Sequence, residues 1–179
     1  MVEEKIREWE KGSANPIPDS KYERYKEKLV ELSKEYPERN LMLFLLARAT
    51  GYRMQDIITL TVGEIKDALD KGYFEIQEQK QYKQWQSEVA KNPNRKKPKK
   101  RIVEIGPSLE KYLKQYLKGK KRSEFAFPSR KGKGNEALTQ KSFSDKLKEV
   151  GKAIGLEHIT GHSPRKTYAT KIYTETNGN

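Results

Sequence analysis

Gly161-His162-Ser163-Pro164-Arg165-Lys166-Thr167-Tyr168-Ala169-Thr170 reads as the start of a helix that carries chemistry. Ser163 is the expected N-cap and Pro164 the first helical residue, which puts Arg165 in the first turn. His162 precedes Arg165 by three residues. An imidazole, a guanidinium and unpaired backbone N–H groups therefore converge on one small volume. Such a volume suits an oxyanion, a phosphate above all. The same residues also fit a plainer role, in which His162 caps or packs the helix and Arg165 is a solvated charge.

Composition favours the anion. The 179 residues carry 38 Lys and Arg against 25 Asp and Glu, a formal net charge of +13. With a pI near 9.7, that excess calls for a polyanionic partner, nucleic acid first and an anionic membrane surface second. Hydrophobic residues are only 34%, yet blocks such as Leu41-Met42-Leu43-Phe44-Leu45-Leu46-Ala47 are enough to seed a core. There is no cysteine, so disulfides, thiolate nucleophiles and cysteine-ligated metals are excluded. Two histidines, His158 and His162, are too few for a histidine-rich metal site, and neither metal nor cofactor is expected. No apolar run is long enough to span a bilayer and the N-terminus has no signal-peptide core, so an intracellular, cytoplasmic protein without a membrane partner is expected.

Working outward, the chain divides into a polar tail and linker over 1–18 and a domain over 19–179. Asp19 can cap a helix whose stripe is Tyr22, Tyr25, Leu29, Leu32 and Tyr36. A second helix over about 39–50 carries the apolar block and stops at Gly51. A third covers 53–60, and Thr61-Val62-Gly63-Glu64 has the form of a capping box that opens a fourth. Tyr73–Gln77 and Arg101–Ile105 alternate like strands, which predicts an antiparallel hairpin with a long polar tip over about 81–100. Helices follow from Pro107, with the stripe Leu109, Tyr112, Leu113, Tyr116 and Leu117, from about Thr139, with Phe143, Leu147, Val150 and Ile154 inward, and from Ser163, and Phe125–Pro128 reads as a short buried strand or turn. The fold class is thus mixed, mainly α with a small antiparallel sheet.

Two further segments bear on the site. In Ala49-Thr50-Gly51-Tyr52-Arg53-Met54-Gln55-Asp56 a helix ends at a glycine and an arginine opens the next. Asp56, one turn on, can fix the Arg53 guanidinium from behind, and a phosphate clamp works only when already oriented. An ordinary helix corner with a surface ion pair explains the same residues. In Gln77-Glu78-Gln79-Lys80 a lysine leaves a strand at the hairpin, where it can reach a neighbouring site and donate a proton. Among so many lysines it can also be one of the crowd.

In this order the three blocks resemble the catalytic domain of the tyrosine recombinases, the phage integrase family, over about residues 20–176. The resemblance implies that Arg53, His162 and Arg165 hold a scissile phosphate, with Asp56 in support. Lys80, with Lys83 as a rival, would protonate the leaving 5′-oxygen. It also implies that a tyrosine attacks to form a 3′-phosphotyrosine link, so that religation needs neither ATP nor metal. The family places a second histidine or tryptophan, then that tyrosine, after this helix, where the chain reaches Asn177-Gly178-Asn179. Tyr168 and Tyr173 lie within the Arg165 helix and read as packing or surface residues. The expectation is a fragment that precedes its nucleophile, binds duplex DNA and forms no covalent adduct alone. The parent protein, encoded by a phage or mobile element, would associate with other copies, as a tetramer, at synapsis.

The tip contains Arg95, Lys96, Lys97, Lys99, Lys100 and Arg101. With Lys83 these form either a solvated loop or a finger that tracks phosphates along the duplex. Two rival functions stay open: a type IB topoisomerase-like enzyme, and a non-catalytic nucleic-acid-binding module.

Overall fold

In the computed structural model, residues 13–132 and 134–176 are described. The apolar block forms α2 (Pro37–Thr50), which buries Met42, Leu43, Phe44, Leu46, Ala47 and Thr50 and so has no single wet face. A helix apolar on most sides belongs at the centre. Around it pack α1 (Asp19–Leu32), α3 (Met54–Ile58), α6 (Pro107–Leu117) and α8 (Ser163–Glu175), while α7 (Gln140–Ala153) packs against α1 and α3. From α1, Tyr25 reaches the centre, stacks on Phe44, and donates its hydroxyl to the Leu147 carbonyl of α7 at 2.7 Å. That bond satisfies the one polar atom of a ring that burial otherwise favours.

Local signals account for the joints. Pro37 is the first residue of α2, and α1 stops at Leu32. Both bonds of the Thr61–Glu64 capping box are present at the start of α4 (Val62–Lys71), which ends on Gly72 at φ 84°. Strand β1 (Tyr73–Ile76) pairs antiparallel with β2 (Arg101–Glu104) in the register Tyr73 to Glu104 and Ile76 to Arg101. Among the described residues the sheet has these two strands, and Phe125 and Pro128 make isolated bridges, to Thr61 and Ala137.

Four expectations need correction. The hairpin tip is not an irregular connection: α5 (Gln79–Val89) fills its first half. Its residues are good helix formers, Gln84 donates to Glu88 four residues on, and the Trp85 indole N–H closes the tip by donating to the Arg95 carbonyl at 2.9 Å. Ser163 does not cap α8 with its hydroxyl, which instead accepts from the Thr160 N–H upstream. Residues 13–18 are not a free linker. Ala14 and Ile17 are buried, and the Ile17 N–H donates to Thr167 Oγ1 of α8. The rest of the predicted tail, 1–12, lies outside the described residues. Tyr112, assigned to the inner stripe of α6, is 54% exposed.

Candidate active site

The first arginine is placed by a close approach between two helices. Gly51 ends α2 at φ 64°, a left-handed conformation that glycine adopts without strain. A Cβ there would lie 2.2 Å from Cδ1 of Tyr168, so the Tyr168 ring rests directly on the Gly51 backbone. Tyr168 stands on α8, one turn beyond Arg165. One contact thus docks the end of α2, where the chain turns into Arg53, against the helix that carries Arg165. Arg53 then serves as the extended residue that opens α3.

The neighbouring Tyr52 ties this corner to the hairpin. It is 1% exposed, and its hydroxyl donates to the carbonyls of Arg101 at 2.7 Å and Phe74 at 3.3 Å. Burial pushes its phenol up to about 12, so it stays a donor at neutral pH. Arg101 in turn gives Nη1 to the Gly51 carbonyl at 3.2 Å, with its guanidinium over the Tyr52 ring.

Arg53 and Arg165 meet, with a carboxylate between them. Arg53 Nη1 lies 2.6 Å from Glu78 Oε2, and Arg165 Nη1 lies 3.1 Å from Glu78 Oε1. Arg101 Nη1 shares that Oε1 at 3.2 Å. The Glu78 side chain is 2% exposed, whereas the three arginine side chains are 28–33% exposed. Burial pushes the Glu78 carboxyl upward, but the Arg101 and Arg53 hydrogen bonds and the nearby Arg165 charge outweigh it and hold the group below its usual range. Three guanidiniums that surround one buried carboxylate form an anion site with an internal anion in it. In the sequence Glu78 reads only as part of a strand end. The available signal was an acidic residue two positions before Lys80 in a chain this basic.

Asp56 acts differently from its expected role. Its carboxylate is buried, Oδ1 accepts the Gln79 N–H at 3.1 Å, and the ion pair of Arg53 goes to Glu78 instead. It therefore anchors the start of α5, and through it the segment that presents Glu78. Burial raises its pKa, partly offset by the Gln79 N–H. Lys80 does not leave a strand: it lies in the first turn of α5, exposed, as does Lys83 further along. His162 is exposed at the start of α8, with its N–H on Thr160 Oγ1. Among the described residues, no group of three or more His, Asp or Glu side chains is placed to hold a metal ion.

The tip is basic and folded. Lys96, Lys97, Lys99 and Lys100 flank its closing turn, Lys97 sits over the Tyr82 ring, and Arg95 pairs with Glu88 at 2.7 Å. Arg101 belongs to the anion site as well as to the base of the tip. Among the described residues, no helix is long and apolar enough to cross a membrane.

Known proteins share this fold. The phage integrase family profile matches residues 22–177. "Probable integrase/recombinase YoeC" of Bacillus subtilis (strain 168) is 27% identical over 139 residues, 78% of this chain and 65% of that protein. "Tyrosine recombinase XerA" of Pyrococcus furiosus is 26% identical over 157 residues, 87% of this chain and 48% of that protein. The chain thus spans less than two thirds of the length of either relative. In fold it is similar to the XerH site-specific recombinase bound to difH substrate, with TM-score 0.62 and 22% identity over 91% of this chain and 44% of that one. It is also similar to the Tn1549 transposon integrase in complex with a circular intermediate DNA, with TM-score 0.65 and 12% identity over 95% and 56%. The chain belongs to the phage integrase family, the site-specific tyrosine recombinases.

Proposed function

We propose that this chain supplies the phosphate-binding catalytic domain of a DNA integrase, acting for a phage or another mobile element. The observation that carries the reading is the meeting of Arg53 and Arg165, from helix starts far apart in sequence, on one anion. In the reaction a tyrosine hydroxyl releases its proton to solvent as its oxygen attacks the scissile phosphorus, an O–P bond to the tyrosine forms, and the bond to the 5′-oxygen breaks. Arg53, Arg165 and His162 bear the charge that develops on the non-bridging oxygens. Lys80, two residues beyond Glu78, gives its proton to the departing 5′-oxygen. One phosphodiester replaces another, so the reverse attack reseals the strand.

The attacking tyrosine is proposed to come from outside the described residues, since the family resemblance places it after the helix that carries Arg165. Tyr168 is committed to the Gly51 backbone, and Tyr25, Tyr52 and Tyr116 donate their hydroxyls to carbonyls. Duplex DNA is the proposed partner, and other copies of the protein join it at synapsis. The XerH and Tn1549 structures, both DNA complexes, support the DNA reading.

The test is Arg53→Gln and Arg165→Gln in a recombination-competent protein that contains this chain. Each change is expected to slow cleavage by about a hundredfold or more. Duplex affinity should fall far less. Equal, modest losses in binding and cleavage refute the reading and favour a plain DNA binder. The chain of 179 residues alone is expected to give no covalent adduct with nicked duplex, and a trapped phosphotyrosine overturns the assignment of the nucleophile.

A further inference from the structure

Both oxygens of Glu78 are engaged by guanidiniums, one by Arg53 and the other by Arg101 and Arg165 together. A phosphodiester presents the same charge on two non-bridging oxygens. We propose that Arg101 is a third phosphate-binding arginine of this site, and that Glu78 is a place-holding anion that keeps the three guanidiniums converged until a DNA phosphate replaces it. The inference rests on the phosphate-site reading above and adds to it a residue and an exchange step.

Three observations support it. Glu78 is the extended residue just before α5, yet its side chain makes no capping bond, so its carboxylate serves the arginines alone. Residues 77 and 78 join β1 to α5 without belonging to either, and with Gln79 held by Asp56 the carboxylate withdraws by its own side-chain torsions. Arg101 needs no such freedom. Its guanidinium also donates to the Gly51 carbonyl and lies over the Tyr52 ring, and its own carbonyl accepts the Tyr52 hydroxyl. When Glu78 leaves, Arg101 stays oriented, and an oriented donor binds an incoming phosphate at less entropic cost. Its place on β2, at the base of the basic tip, lets one strand both follow the duplex and close the site on the reacting phosphate.

Inorganic phosphate is the probe, titrated against the 179-residue chain with melting temperature and phosphate affinity as readouts. Glu78→Gln is expected to bind phosphate about tenfold more tightly than the unsubstituted chain, since it removes the competing charge. Glu78→Asp should behave like the unsubstituted chain. Adding Arg101→Gln to Glu78→Gln is expected to remove about tenfold of that affinity. A folded Glu78→Gln that binds phosphate no better, or a double variant that binds it as well as the single, overturns the proposal. Should Glu78→Gln not fold, the guanidinium Nε–Hε resonances of the unsubstituted chain decide. Arg53, Arg101 and Arg165 are expected to shift together with one phosphate dissociation constant, and an unmoved Arg101 refutes the idea. The strand-transfer reading fails on a different result: Arg53→Gln and Arg165→Gln that leave DNA cleavage intact, whatever inorganic phosphate does.

Discussion

Gly51→Ala is the sharpest probe of how the site is built, because the perturbation divides into two parts with separate magnitudes. The residue sits at φ 64°, where a Cβ costs about 1–2 kcal/mol. That Cβ also lands 2.2 Å from the Tyr168 ring, and a forced shift of this kind in a packed region costs roughly 1–3 kcal/mol more. The smaller entropy of the unfolded alanine chain returns about 0.4–1 kcal/mol. The expected net loss is therefore about 3 kcal/mol, which for a chain of this size lowers the melting temperature by roughly 6–12 °C. Gly72→Ala is the matched control: its φ is 84°, but nothing lies within 4 Å of the added methyl. It should show the backbone cost alone, about 1 kcal/mol. Denaturant melts of both variants measure the difference, and Tyr168→Ala in the Gly51→Ala background should recover part of it as a coupling energy. If Gly51→Ala and Gly72→Ala agree within about 0.5 kcal/mol, the Tyr168 ring does not dock α8 on the arginine corner, and Arg53 is positioned by something else.

Acid should act on the two buried carboxylates with opposite signs. The pKa of Glu78 is depressed below its ordinary 4.5, so its contribution is complete above that pH and is lost as pH falls through the folded value; that of Asp56 is raised, so protonation relieves its burial. Acid titration of stability is therefore expected to be shallower in Glu78→Gln than in the unsubstituted chain below about pH 4.5; equal slopes refute the three-arginine bond. If the tip follows the duplex, replacing Lys96, Lys97, Lys99 and Lys100 by serine lowers the log–log salt slope of duplex binding by about 0.9 for each phosphate that is no longer neutralised. An unchanged slope assigns those lysines to solvent.

Helix periodicity and punctuation were legible because they act locally. Gly51, Pro107 and the Thr61–Glu64 box sit at the ends they predict, and Phe143, Leu147 and Val150 are the buried stripe of α7. The two arginines were legible as helix-start residues for the same reason. The α5 helix was not, because Gln79–Val89 buries no residue and its polar pattern carries no apolar period. Contacts that no period encodes help hold it, among them the Trp85 indole to the Arg95 carbonyl and the Gln79 N–H to Asp56. Glu78 was missed for a related reason. Its meaning lies in three partners at positions 53, 101 and 165, and no spacing rule links them.

The electrostatics of the cluster bear on the proposed phosphate site. A fold that served only its own stability would balance the charges it gathers in one place. Here three guanidiniums face one buried carboxylate, and the neighbouring Asp56 spends one oxygen on a backbone N–H and leaves Oδ2 buried without a hydrogen-bond partner. Both features cost stability: the unpaired oxygen forfeits a hydrogen bond, and the surplus positive charge repels itself. Sites that break local rules in this way are where function is expected, since a fold tolerates the strain only when the rest of the structure compensates for it. The surplus has one sign and one location. It leaves room for more negative charge, and the anion proposed to supply it, a phosphodiester, carries two non-bridging oxygens.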